Sequence, residues 1–298
     1  MSGGHNHTVR ASRRHLKPLG VALVLVVVFL VVEAIAGFWT GSLALISDAG
    51  HMATDALGIG MALAAIVAAE RTTSIRRTYG LYRTEILAAL ANALLLFVVA
   101  GYVLYEAITR LSSPPDILSG PMMLVAAAGL VVNVIAWRLL REGADESLNI
   151  EGAYLEVIAD LIGSIGVLIA AIVIWLTDWT IIDPIVGAAI GLFILPRAWR
   201  LAREALDILL QSAPERINLD QLSTELGGIA EVVNVHDLHV WTLTSDMDVG
   251  TAHLMTRDGA DPHPVLDQAR SILQSHGIAH ATLQVEPESH EGCAEINW

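Results

Sequence analysis

The chain has 298 residues, of which 54% are hydrophobic and 16% charged, and these come in long apolar blocks that exclude an ordinary water-soluble protein. The formal net charge is −14, and residues 212–298 hold fourteen acids against Arg216, Arg257 and Arg270, a net of −11, which argues against a nucleic-acid partner. Cys293 is the only cysteine, so an intrachain disulfide and a thiolate-rich metal site are both excluded.

Residues 1–17 read as a polar cytoplasmic leader, expected to be disordered, with His5 and His7 within it. Its basic residues Arg10, Arg13, Arg14 and Lys17 run into a full-length apolar segment without a cleavage site, unlike a secretory signal. Six apolar segments follow, at about 19–39, 42–69, 84–108, 120–140, 151–176 and 184–210. Each is long enough to span a bilayer, which needs roughly 20 residues. Residues 18–211 are therefore expected to form a membrane domain of six transmembrane helices, with lipid around it.

Charge sets the orientation. With the N-terminus in the cytoplasm, the inner segments collect thirteen basic residues and the outer loops only Arg110. That positive-inside bias puts both termini, and the acidic C-terminal part, in the cytoplasm. Ser112-Ser113-Pro114-Pro115 closes the third span, and Asp183-Pro184 reads as an N-cap followed by proline at the first helical position of the sixth. Pro196 falls inside that sixth span and is expected to kink it. Gly58, Gly60, Ala64, Ala65, Gly163 and Gly166 are expected to let helices approach closely.

After Pro214 the pattern becomes that of a compact domain, residues 212–288, followed by a loose tail at 289–298. Leu219–Leu226 and Pro264–His276 read as helices, and Val232–Leu243, Val249–Met255 and Thr282–Glu286 as strands. The order αββαβ predicts an α+β layer with helices on one face of the sheet.

Two pairs of polar residues interrupt the apolar spans. His51 and Asp55 lie four residues apart in the second, and Glu156 and Asp160 repeat the spacing in the fifth. On a helix, residues i and i+4 share a face, so two such helices can build one four-ligand metal site. Ionisable groups at membrane depth are costly and face a protein interior or a water-filled path. One imidazole with carboxylate oxygens suits a borderline divalent ion such as zinc. Histidine titrates near neutral pH, and metal binding displaces protons from ligands, which is a physical basis for metal/proton exchange. The sequence has no Gly-rich ATP loop, so a gradient is the natural energy source. Asp48, three residues before His51, reads as a support to the site or part of a proton path, and Glu33 and Asn92 as structural hydrogen-bonding residues.

The stretches Ser42–Asp55, Tyr79–Glu85, Asp160–Val167, Asp183-Pro184 and Val235–Trp241 carry a resemblance over nearly the whole length. The chain resembles the cation diffusion facilitators, in particular the bacterial zinc, cadmium and cobalt efflux branch, which is similar to eukaryotic zinc transporters. The resemblance implies a homodimer, a cytoplasmic ferredoxin- or metallochaperone-like domain, and divalent metal/proton antiport, with His51, Asp55, Glu156 and Asp160 as the transport site. Zinc members of the family commonly have His where Glu156 stands, which opens selectivity toward cadmium, cobalt, iron or manganese. The family's extra loop site is expected to be missing, because Arg71–Arg83 contains no His or Asp. Arg83, Glu85 and Tyr79 fit a role at a cytoplasmic helix end.

Seven of the eleven histidines follow residue 235. By resemblance, His236, His253 and Glu286 match ligands of a cytoplasmic regulatory zinc site, and His263 one on its dimer side. Gln284 stands where some relatives have a second-site His; His280 is a substitute, His239 a weaker candidate, and His290 and Cys293 tail candidates. His276 reads as a surface residue. The expected function is proton-coupled efflux of zinc or related divalent cations across a bacterial cytoplasmic membrane, with no organic cofactor. Two rival classes are a membrane metal sensor, which would need an output module, and an intramembrane metallohydrolase, which would need a pattern such as His-Glu-x-x-His; that pattern does not occur in these residues, and no output module is expected.

Overall fold

The computed structural model describes residues 6–69, 78–141, 148–244 and 247–289; for residues 6–20, 22, 58–59, 61–69, 148–153 and 155–156 it describes the helix without the side chain. The expected candidates His5, His290 and Cys293, the expected tail beyond Ser289, and parts of the connections at 70–77 and 142–147 lie outside the described residues. Two compact units divide the chain, one drawn from residues 1–64 and 91–202 and the other from 65–90 and 203–298.

Six long helices come first: α1 (Asn6–Thr40), α2 (Leu43–Ala69), α3 (Arg83–Ser112), α4 (Ser119–Arg141), α5 (Leu148–Thr177) and α6 (Ile182–Leu209). Over the described residues, five of them (all but α2) are long and apolar enough to cross a membrane. α1 reaches back to Asn6, through residues expected to be a disordered leader. Extending a helix already nucleated by an apolar span costs little per residue, which local polarity alone does not reveal. Large apolar side chains such as Phe38, Trp39, Leu124 and Trp175 are exposed along these helices, as lipid-facing positions require.

Small residues set the spacing inside the first unit. A Cβ on Gly50 would lie 2.5 Å from Val99, one on Gly129 2.6 Å from Phe29, and one on Gly163 2.8 Å from Asp48 Oδ1. Gly163 was expected among such positions; Gly60, also expected, has no neighbour among the described residues within 4 Å of the place a Cβ would take.

Asp183 departs from its expected part. It lies in the first turn of α6, which starts at Ile182, and its buried carboxylate reaches α2 instead of capping its own helix. Oδ2 accepts the Leu43 N–H at 2.7 Å, and Oδ1 accepts the Ala44 N–H at 3.2 Å and the Ser42 hydroxyl at 2.5 Å. The first N–H groups of a helix have no intrahelical acceptor, and here a carboxylate supplies one where the helix N-terminus also favours negative charge. Ser47 Oγ donates to the Gly187 carbonyl at 3.1 Å, a second polar tie between α2 and α6.

The second unit carries α7 (Leu219–Gly227), β1 (Val232–Thr244), β2 (Met247–Thr256), α8 (Pro262–Ser275) and β3 (His280–Pro287). This is the expected αββαβ order. The sheet runs β1-β2-β3, with β1 antiparallel and β3 parallel to β2. Leu222 and Leu226 of α7, Val265, Ala269 and Leu273 of α8, and Val240 and Leu254 of the sheet form its core. Asn218 and Asp261 cap α7 and α8 by accepting backbone N–H groups. Within the same unit Thr244 donates its hydroxyl to Glu85, and the Tyr79 ring meets His280 edge-on at 6.4 Å. The expected roles of Glu85 and Tyr79 at a helix end thus have concrete partners.

Candidate functional site

His51 and Asp55 project from one face of α2, as their spacing dictates, and α5 brings Asp160 to them. His51 Nδ1 lies 3.3 Å from Asp55 Oδ2, and His51 Nε2 lies 3.9 Å from Asp160 Oδ1. One ligand atom from each of the three residues falls within 4.8 Å of the others, and all three residues are buried. Glu156 occupies α5 one turn before Asp160, but its side chain lies outside the described residues. A neutral imidazole and two carboxylates converging at this separation are a donor set for a borderline or hard divalent ion.

Around this cluster lie Arg197, which sequence reasoning did not assign, and the polar residues Asp48, Glu33 and Asn92, which it did. Arg197 of α6 places a guanidinium nitrogen 3.0 Å from Asp55 Oδ1. In the sequence it counted only as one of thirteen inner basic residues; its position in a span, directly after Pro196, was the available signal. Asp48 interacts with Glu33 of α1 and Ser164 of α5, and Asn133 of α4 donates to Ser164 Oγ at 3.1 Å. All four are buried. Asn92 of α3 donates to the Thr54 carbonyl at 3.3 Å, and Thr54 Oγ1 donates to the His51 carbonyl at 2.6 Å. Asn92 therefore holds the α2 backbone between the two ligands, a structural part as expected.

A second cluster lies in the second unit. His236 of β1 pairs with His253 of β2, and Met255 of β2 pairs with Glu286 of β3, so three adjacent strands bring these side chains together. His253 Nδ1 lies 2.9 Å from Glu286 Oε1, and the two imidazole rings stand 5.2 Å apart at 69°. His236, His253 and Glu286 each place a ligand atom within 4.8 Å of the others. Neither ring nitrogen of the partly buried His236 has a hydrogen-bond partner among the described residues. Buried polar atoms left that way are uncommon, and a metal ion is one partner that would satisfy an imidazole nitrogen. The β1 register shifts between His236 and His239, where Asp237 has φ 48°, a left-handed conformation that Asp tolerates better than most residues. Such a bulge re-aims side chains beside it.

Among the described residues, no other expected ligand joins this cluster within one chain. His239 and His280 are exposed on their strands. His263 is exposed on the first turn of α8, where its backbone N–H binds Asp261. Gln284 donates to Glu286 Oε1 at 2.6 Å, so the residue standing in for a second-site His supports the Glu286 carboxylate. His276 pairs with Glu225 at 2.8 Å, away from the cluster. This hydrogen bond, aided by Gln221, holds the Glu225 carboxyl below the usual glutamate range.

Comparison with known proteins covers both units. A family model described as the cation efflux transmembrane domain matches residues 19–210, and one described as the cation efflux protein cytoplasmic domain matches 214–288. The metal cation efflux system protein CzcD of Cupriavidus metallidurans is 44% identical over 96% of this chain and 90% of its own length. The zinc transporter ZitB of Escherichia coli is 38% identical over 98% of this chain and 95% of its own. The cadmium, cobalt and zinc/H(+)-K(+) antiporter of Bacillus subtilis is 35% identical over 96% and 93%.

Proposed function

The chain belongs to the cation efflux family and is a membrane transporter of metal cations rather than an enzyme; from that premise we propose that it exports zinc and related divalent ions in exchange for protons. The observation that carries this reading is the convergence of His51, Asp55 and Asp160, from two membrane-embedded helices, into one buried donor cluster. Glu156 completes the set from α5. The ion binds between α2 and α5 from the cytoplasmic side and leaves when the helices rock outward and the ligands take up protons. Zinc is the first choice of substrate. Three carboxylates beside one imidazole also accept cadmium, cobalt, iron or manganese, because an anionic oxygen replaces the softer neutral nitrogen usual at residue 156.

His236, His253 and Glu286 would hold a regulatory zinc ion in the cytoplasmic domain, with His263 contributing on the dimer side. The bound charge would offset repulsion between two acidic domains, so metal would tighten the homodimer. Both termini lie in the cytoplasm, in line with the positive-inside count.

Metal flux into proteoliposomes with an imposed pH gradient tests the reading. Zinc flux is expected to need the gradient, and Glu156→His is expected to move the metal order toward zinc. Equal zinc flux with and without a proton gradient overturns the antiport, and an unmoved metal order removes Glu156 from selectivity.

A further inference from the structure

Asp55 is a proposed metal ligand, yet its carboxylate already has a cation. Arg197 reaches it from α6 at 3.0 Å, on Oδ1, while Oδ2 faces His51. We propose that Arg197 is a tethered competitor of the transported ion: it neutralises Asp55 when no metal is bound and must be displaced when metal binds. This rests on the transport-site reading given above.

A carboxylate held in a buried site without a counter-charge is strongly disfavoured. The transported ion leaves once in every cycle; protons taken up by the other ligands offset part of the lost charge, and Arg197 gives Asp55 a cation that the protein does not lose. Arginine suits that part, because it stays charged at any physiological pH and its long stem lets the head group move while the helix stays in place. Asp55 is 5% exposed and the Arg197 side chain 39% exposed, so the carboxylate is fixed inside and the guanidinium has somewhere to go. Pro196 supports the same motion. It has no N–H for the α6 ladder, which loosens the helix immediately before Arg197.

The consequence is on affinity and release. The guanidinium and a metal ion compete for the same carboxylate, and because the Arg197 side chain is 39% exposed the ion pair that metal must break is worth about fivefold in affinity or less, about 1 kcal/mol. Metal must break that ion pair to bind, and the returning guanidinium speeds its departure. Arg197 is therefore a positioning residue that weakens binding in order to allow turnover.

The test uses the full-length protein in detergent or nanodiscs on a His253→Ala background, which removes the other metal cluster, with zinc alone as the probe. Arg197→Gln is expected to bind zinc roughly two- to fivefold more tightly by calorimetry. In proteoliposomes the same variant is expected to show a lower half-saturating concentration together with a lower maximal flux. Unchanged or weaker zinc binding in a folded Arg197→Gln protein overturns the proposal, since a purely structural arginine or one that helps hold metal gives that result. If Arg197→Gln does not fold, Arg197→Lys carries the test. A single ammonium in place of the two-pronged guanidinium is expected to tighten binding by a smaller factor, and no tightening overturns the proposal. Asp160→Ala on the same background separates the two levels: if it leaves zinc binding intact, the transport-site reading itself fails.

Discussion

His51 and His236 each stand in a cluster of imidazole and carboxylate donors, but their surroundings differ. The first is closed in by α2 and α5, its three described donor residues are buried, and Arg197 already sits on one carboxylate. The second lies across three strands with both its histidines partly exposed, and the nitrogens of His236 have no hydrogen-bond partner among the described residues. A buried site filled by a built-in cation exchanges one charge for another, which suits a step in a cycle. A sheet-borne site with an idle imidazole takes up metal as its concentration rises, which suits a sensor. On the proposed reading the same donor types would serve different ends, because helices can rock relative to one another whereas hydrogen-bonded strands hold their register.

Paired substitutions break this comparison most directly. Asp160→Ala is expected to lower zinc flux by more than about 100-fold, since even a lost supporting residue around a metal costs 10–100-fold. His253→Ala is expected to leave maximal flux within a few-fold and to remove one zinc per chain from the binding stoichiometry of the intact protein. Flux that collapses in both variants would mean that the two clusters act as one obligatory path, with no division of labour between them.

How much of this was legible beforehand follows from the range of the interactions. The six spans, the αββαβ order and the i,i+4 pairs are local patterns, and periodicity records them. Arg197 meeting Asp55 was not legible, because which faces of α2 and α6 meet depends on packing at Gly187 and Ser47, far apart in the chain. The same holds for Asp183, whose neighbour Pro184 suggested a local cap while its acceptors were needed by Leu43 and Ala44, about 140 residues away. In the small domain, the histidines were visible as a set. Only strand register could separate His236 and His253, which are paired across β1 and β2, from His239, which the bulge at Asp237 moves out of step.

The Asp183 tie offers a smaller effect that sharpens the contrast between a moving and a fixed part. Asp183→Asn turns one acceptor into a donor facing a backbone N–H and removes a negative charge from the α2 N-terminus. The expected loss is about 1–3 kcal/mol, seen as a thermal midpoint several degrees lower in detergent. Zinc affinity in the folded fraction is expected to stay near wild type, because Asp183 touches none of the donors. A midpoint equal to wild type would show that α2 is not held by this contact.

The smallest effect belongs to the sheet domain, away from either cluster. Glu225 of α7 accepts a hydrogen bond from His276, just past α8, at 2.8 Å. Because this bond holds the Glu225 carboxyl below its usual range, the folded state favours the charged form. The contribution is therefore complete above the ordinary glutamate pKa and fades as pH falls through the lowered one. The Glu225 side chain is 37% exposed, so solvent screens the pair and only a slight loosening is expected. Hydrogen exchange at Gly277 and Ile278, whose N–H groups bond the last turn of α8, is the local readout. His276→Phe is expected to bring the Glu225 midpoint back toward the ordinary value by carbon-detected titration and to remove the acid-side change in protection. A midpoint that stays low in that variant would assign the shift to Gln221 alone, and the α7–α8 tie would then owe nothing to the histidine.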